Sequence, residues 1–505
     1  MRHSFMGREM IMIFGMKILM TCTLFMAVAT SSHAETLEIS GVASIGKQSP
    51  DFEMTLSKSQ GFQNRLSGYL SMVTGFDGNS FWRVENGAGP FEIDFSEKEI
   101  WVAIHWILSG YWLHQDAPLQ WSEDAITGNA IFTVKDGQLK ILTNKTLAQL
   151  KSVESVFPLK LVASNLPQVL SVDFVGQQTL SEQQFPKSIV INGIGEVENF
   201  IIKTAVKTIS KPQSLFNKPQ RKLSDSRFNA NVSSQVEIKQ AKSGHIFVRP
   251  IINNQVVGWF LFDSGAGSSM MSQELIDKFS LQRVANTISG GIGGSTGYSD
   301  VYQGAMLKLG PLEVNNLNYK VYDPSRSMAT RLLGEPVVGV LGWDILLRSV
   351  VEVDMLKATM SIYSPSAYRV PKEDRQRLYL HWKVPYVKAN FSPDHEGIFM
   401  LDTGAGNKGI FFTNFSVNTF DLLKDKQGQK SNAQGAGGRV PIIKGQIDWF
   451  EVANHKTNNA DAVFSIGEDH EADIFSTGFL GGAVIEPFKV VFDYGRNEVG
   501  FIRRH

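Results

Sequence analysis

Asp263-Ser264-Gly265-Ala266-Gly267 and Asp402-Thr403-Gly404-Ala405-Gly406 set the same acidic turn at two points of one chain. Each aspartate closes an apolar run, Trp259-Phe260-Leu261-Phe262 before the first and Ile398-Phe399-Met400-Leu401 before the second. An ionisable group at the end of a buried strand is costly unless something requires it there. Two such positions imply two carboxylates that meet. Close carboxylates do not both ionise easily, so they share one proton and can activate a water held between them.

The elements that must bring the two turns together are themselves repeated. Val338-Gly339-Val340-Leu341-Gly342 follows the first turn, and Thr477-Gly478-Phe479-Leu480-Gly481 follows the second. Each leads to a strand-like run with an acid, Val350-Val351-Glu352-Val353-Asp354 and Val490-Val491-Phe492-Asp493. The steps 263 to 402, 341 to 480 and 354 to 493 are all 139 positions. A glycine loop lies between turn and Leu-Gly element in each copy, Gly290 to Gly294 and Gly435 to Gly438. These loops are offset by 144 (291 to 435), so only the intervening segments differ in length. Chance does not hold three landmarks in register.

The order within each copy (apolar strand, Asp-Ser/Thr-Gly-Ala, glycine loop, hydrophobic-Gly, closing strand) resembles that of aspartic proteases over essentially all of residues 236–505. The Gly290 to Gly294 run is similar to the flap of retroviral-type enzymes, and the short lobes resemble a dimeric retropepsin-like protease fused into one chain. The resemblance implies a mainly β fold, with a two-lobed closed-barrel half made by internal duplication. The lobes would span 236–368 and 369–505, with Asp263 and Asp402 as the catalytic pair.

Residue types fill in the supporting roles. Ser264 and Thr403 would hydrogen-bond across the lobe interface, while Gly265 and Gly404 permit the tight turns and offer N–H groups to the carboxylates. Ala266 and Ala405 lack the hydroxyl found here in many pepsin-like enzymes, which predicts a less acidic working pH. Gly291, Ile292, Gly293 and Gly294, with Gly435, Ala436, Gly437 and Gly438, are candidate flap tips over the substrate. Plain glycine-rich hairpin turns are the alternative, above all for the second loop. Asp344, Asp354 and Asp493 read as structural, Asp344 having no acidic counterpart in the second copy.

A chain of 505 residues is too long for one ordinary core. Hydrophobic content of 43% with 19% charged residues is that of a globular protein. Lys+Arg and Asp+Glu are both 49, so net charge points to neither nucleic acid nor an acidic ligand. Lys17, the apolar run Ile18 to Ala29 and Ser32-His33-Ala34 read as a secretory signal cleaved after Ala34, with a membrane anchor over Ile11 to Thr30 as the alternative. Cleavage would leave no stable membrane span and a periplasmic or secreted protein. The single Cys22 lies inside this leader, so disulfides, thiolate chemistry and cysteine zinc sites are excluded from residues 35–505. Histidines lack metal spacing, and neither a phosphate loop nor a Ser–His–Asp signature is present. No metal or cofactor is expected.

Residues 35–204 alternate in short runs such as Phe91-Glu92-Ile93-Asp94-Phe95, which favours antiparallel strands. Trp101 to Trp112 fits a buried helix or two strands equally. Gly75-Phe76-Asp77-Gly78 and Trp82 resemble part of the β-rich half-barrel of periplasmic lipoprotein carriers. Residues 205–235, basic and rich in Pro, Ser and Asn, read as a solvated linker. Cutting there would release the C-terminal half. The expectation is a monomeric aspartic endopeptidase with a polypeptide substrate and a pseudo-twofold site. A non-catalytic peptide- or lipoprotein-binding protein on the same scaffold is the alternative.

Overall fold

The alternating runs of the first block become a thirteen-stranded antiparallel sheet among the described residues. Near its centre, Thr36–Ile45 pairs with Asp51–Ser57 on one side and with Glu198–Thr208, the middle strand, on the other, so the ends of the block meet. The computed structural model describes residues 35–503, apart from 58–60, 69–70, 86, 153–155, 166–169, 194–196, 210, 290–296, 325–326, 425–427, 436–437 and 468–475. The leader with Cys22 therefore lies outside the described residues. Among them, no helix is long and apolar enough to cross a membrane.

The aromatic stretch left open by periodicity is helical. Phe95–Ser109 carries no Gly or Pro, and Gly110, at φ 76°, ends it in the left-handed conformation that glycine adopts without strain. The helix joins two opposite edges of the sheet, Phe91–Glu92 and Leu119–Glu123, so it crosses the sheet's face. Its His105 ring stacks on Phe62 at 3.6 Å, and Trp101 meets Phe200 edge-on at 5.5 Å. Contacts to such distant strands mean that the sheet curls around the helix as a half-barrel.

The second half is built twice. In the first lobe, Val337–Leu341 lies parallel to Trp259–Phe262 and antiparallel to Met270–Ser272. In the second, Gly478–Leu480 lies parallel to His395–Leu401 and antiparallel to Ile410–Phe412. Each closing strand thus sits between the strand that enters the acidic turn and the strand that leaves it. These strands are buried on both faces, which explains their continuous apolar runs. A six-stranded sheet joins the lobes through Val350–Asp354 and Phe488–Asp493. Glu352 stands opposite Val491, the residue 139 positions on, so the pseudo-twofold axis passes between them.

Residues 205–235 are not a solvated tether. Residues 205–208 continue the strand Glu198–Thr208, and Phe216 is buried with its carbonyl accepting the Trp82 indole N–H at 2.8 Å. Arg221 reaches the fully buried Asp493 and donates to the Leu347 carbonyl at 2.6 Å. Asp225 is held by the Arg348 guanidinium at 3.0–3.1 Å. Most of the basic charges that suggest hydration pair with acids distant in sequence. Asp493 and Asp354 are indeed structural: the first also binds Arg496, and the second caps a turn through the Lys357 N–H at 2.9 Å.

Candidate active site

The two acidic turns meet at the lobe interface. Asp263 N–H donates to the Leu341 carbonyl at 2.9 Å and Asp402 N–H to the Leu480 carbonyl at 3.0 Å, so each closing strand fixes its own aspartate. Across the interface, Ser264 N–H donates to Thr403 Oγ1 at 2.9 Å and Thr403 N–H to Ser264 Oγ at 3.0 Å. The two hydroxyls then donate to the carbonyls of Leu401 (2.7 Å) and Phe262 (3.2 Å), each the residue before the opposite aspartate. Both side chains are fully buried, so these four bonds lock one turn to the other.

The lock places the Asp263 and Asp402 carboxyl groups in hydrogen-bonding contact. The glycines leave no spare space. A Cβ on Gly404 would lie 2.5–2.6 Å from the Asp263 carboxyl oxygens, and one on Gly265 would lie 2.9 Å from Asp402 Oδ1. Gly265 N–H also donates to Asp263 Oδ1 at 2.8 Å. Ala266 and Ala405 contribute backbone only, their N–H groups closing the turns onto the carbonyls of Asp263 and Asp402 at 3.2 and 3.3 Å.

Burial raises the pKa of both carboxyls. For Asp263 the neighbouring Asp402 charge pushes in the same direction, well above the usual carboxylate range. For Asp402 the hydrogen bond from Asp263, the Lys408 charge and the Gly404 and Ala405 N–H groups pull back toward the anion. The two carboxyls therefore hold one proton and one negative charge between them as a pair. Asp402 Oδ1 is buried with no donor from outside the pair, so the proton the pair shares, or a water, is what can satisfy it.

The sequence does not single out Tyr494, Trp343 or Lys408 beside the pair, and it gives Asp344 only a structural reading. Tyr494 is fully buried and its hydroxyl points to the Ser264 carbonyl at 3.4 Å; burial and the two aspartates drive its pKa upward, so it stays neutral. Trp343 N–H donates to the Ala266 carbonyl at 3.0 Å. Asp344 Oδ2 accepts the Ser269 N–H at 2.7 Å, which makes it a brace for the first turn. Lys408 occupies the position that Ser269 holds in the first copy. Only its spacing from Asp402 could have revealed it.

The glycine loops are placed only in part. Gly291, Ile292, Gly293 and Gly294 lie outside the described residues, as do Ala436 and Gly437. The flanking strands pair as hairpins as far as Ser289 opposite Gly297 and Gly435 opposite Gly438. Among the described residues no cluster of three or more His, Cys, Asp or Glu side chains could hold a metal ion.

Residues 248–345 match the aspartyl protease family. The match spans the strand before Asp263 through the brace at Asp344. The crystal structure of a retropepsin-like aspartic protease from Rickettsia conorii is similar over 23% of this chain and 86% of its own, at 22% identity and a TM-score of 0.18. That of a LolA superfamily protein from Nitrosomonas europaea is similar over 37% of this chain and 91% of its own, at 10% identity and a TM-score of 0.26. None of the curated proteins matches.

Proposed function

We propose that the chain is an aspartic endopeptidase that uses Asp263 and Asp402 to hydrolyse peptide bonds of a polypeptide. The observation that carries this reading is the contact of two carboxyls at the lobe interface whose pKa values burial raises together, so that they share one proton. Asp402, ionised, takes a proton from the water between the two groups, and that water attacks the scissile carbonyl carbon. Asp263, protonated, donates to the carbonyl oxygen as it gains charge. The resulting tetrahedral diol collapses as the nitrogen accepts the proton from Asp402 and one diol hydroxyl returns a proton to Asp263, so that the C–N bond breaks, the amine and the carboxylic acid leave, and the pair is regenerated. A binding-only protein has no use for a buried carboxylate pair that costs stability. The leader adds a location to the proposal, the periplasm or the exterior.

Incubation of the purified chain with a denatured polypeptide tests the reading. Cleavage that a pepstatin-like inhibitor suppresses supports it, and cleavage indifferent to that inhibitor but blocked by a serine-directed reagent counts against it.

A further inference from the structure

The half-barrel does not stand clear of the two lobes. Its Phe91 packs edge-on against Trp343 at 4.8 Å, and Trp343 in turn holds the Ala266 carbonyl. Its Glu92 exchanges two hydrogen bonds with Asn497, both at 2.9 Å, and its Asp94 exchanges backbone and side-chain bonds with Leu380. These contacts bring the turn after Phe81–Glu85 beside the first acidic turn.

There, Glu85 forms an ion pair with Lys383 at 2.8 Å. Burial works against the Glu85 carboxylate, but Lys383 and Arg83 outweigh it and keep it ionised. Lys383 sits at the tip of the hairpin Tyr379–His381 and Val384–Phe391, which abuts Gly267: a Cβ on Gly267 would lie 3.2 Å from the Trp382 carbonyl and 3.5 Å from the Lys383 Cβ. Glu85, Ala88, Gly267, Ser268, Lys320 and Lys383 all line one small pocket of about 40 Å³. A second turn of the half-barrel reaches the same side, with Lys47 Nζ 5.5 Å from the Tyr298 ring on the first-lobe hairpin.

The pseudo-twofold axis supplies the comparison. Gly267 and Gly406 are equivalent residues, four positions beyond Asp263 and Asp402, and so lie on opposite sides of the carboxyl pair. The hairpin tip that meets Gly406 is formed by Ser243 and Gly244, with Asn407 N–H donating to the Ser243 carbonyl at 2.6 Å. Next to it Asn407 and Lys408 are exposed, whereas Gly267 and Ser268 share their pocket with the half-barrel. One site has two ends that differ by what covers them.

We infer that the half-barrel walls off the Gly267 end of the cleft through the Glu85–Lys383 ion pair, so that a polypeptide can run on past the site only at the Gly406 end. The inference rests on the proposed reading of Asp263 and Asp402 as the reacting pair. It makes the substrate class a polypeptide engaged near one terminus rather than a long segment held through its middle. Glu85 and Lys383 are then specificity-determining residues contributed by different halves of the molecule.

Binding tests this without requiring turnover. Fluorescein-labelled casein peptides of about eight residues are titrated by anisotropy with the full chain carrying Asp263→Asn. The same peptides are then lengthened at either terminus by about six residues, roughly 20 Å of extended chain. Extension at one terminus is expected to weaken binding by about tenfold or more, and extension at the other to leave it unchanged. Glu85→Ala with Lys383→Ala is expected to narrow the difference. Equal tolerance at both termini, or no binding of any peptide, overturns the inference. An undiminished difference in the double variant overturns the role of the ion pair. Should that variant fail to melt cooperatively, the comparison of the two extensions alone decides. Absence of cleavage by the unsubstituted chain would instead strike the catalytic reading and leave the binding comparison to stand or fall by itself.

Discussion

Ser264 and Thr403 each receive the other's backbone N–H on a side-chain oxygen, at 2.9 and 3.0 Å, across the interface between the lobes. Their hydroxyls in turn donate to the carbonyls that precede the opposite aspartates. Removing one hydroxyl strands a buried N–H and a buried carbonyl together. Thr403→Val is therefore expected to cost about 1–3 kcal/mol and to loosen the Asp263–Asp402 contact, while Thr403→Ser keeps both bonds. Thermal melts of the two variants check this, and equal stability would contradict it.

Gly404 has no room for a side chain, because a Cβ there enters the space of the Asp263 carboxyl. Gly404→Ala is expected to displace that carboxyl and abolish cleavage, with a stability cost of about 1–3 kcal/mol for overpacking. Peptidase assays beside melts would show it. A variant that is both stable and fully active would mean that the pair tolerates a displacement the geometry forbids.

Burial and the Asp402 charge raise the Asp263 pKa above its unfolded value of 3.8. Above pH 3.8 and up to the folded pKa, the native state binds more protons than the unfolded chain. Stability from this group is thus complete at low pH and is lost as pH rises through the folded pKa. Asp263→Asn should raise the melting temperature at pH 7 and give a smaller gain near pH 3.5. An equal gain at both would contradict the burial argument. The same shifts place the activity optimum above about pH 3, higher than a pair of pepsin type allows.

Phe91 and Arg221 tie the half-barrel side of the molecule to the lobes, where Trp343 is 2% exposed and Asp493 is 0% exposed. A chain beginning at Val236 would uncover the first and leave the second with Arg496 alone. It is expected to lose cooperative melting and soluble yield, since breaking a buried pair costs about 3–5 kcal/mol. A stable, fully active truncated chain would restore the expectation of a releasable C-terminal half.

The legible part of this molecule is the part that repeats. Asp263, Leu341 and Asp354 recur at one spacing because both copies must present the same closing strand to the same turn, and the register of Glu352 opposite Val491 continues that relation into the shared sheet. Ser264 and Thr403 could be read from residue type, since a small hydroxyl beside each aspartate has few other uses. Tyr494 and Trp343 carried no such signal, because in the other copy their places are filled by Met355 and Gly482. The segment 205–235 misled for a physical reason. Most of its cations are paired, but the partners, among them Asp493 for Arg221 and Glu92 for Lys218, lie as far as 272 and 126 positions away. Trp101 to Trp112 stayed undecided because a helix wrapped by a sheet is apolar all round and loses its periodicity.

The most direct measurement is cleavage of a denatured polypeptide by the full chain and by its Asp263→Asn and Asp402→Asn variants, each shown to melt cooperatively. A pair that works as one unit predicts that either substitution alone lowers the rate by on the order of 10³-fold or more, and that combining them lowers it little further. Cleavage by either variant at the rate of the unsubstituted chain would contradict the assignment of hydrolysis to Asp263 and Asp402.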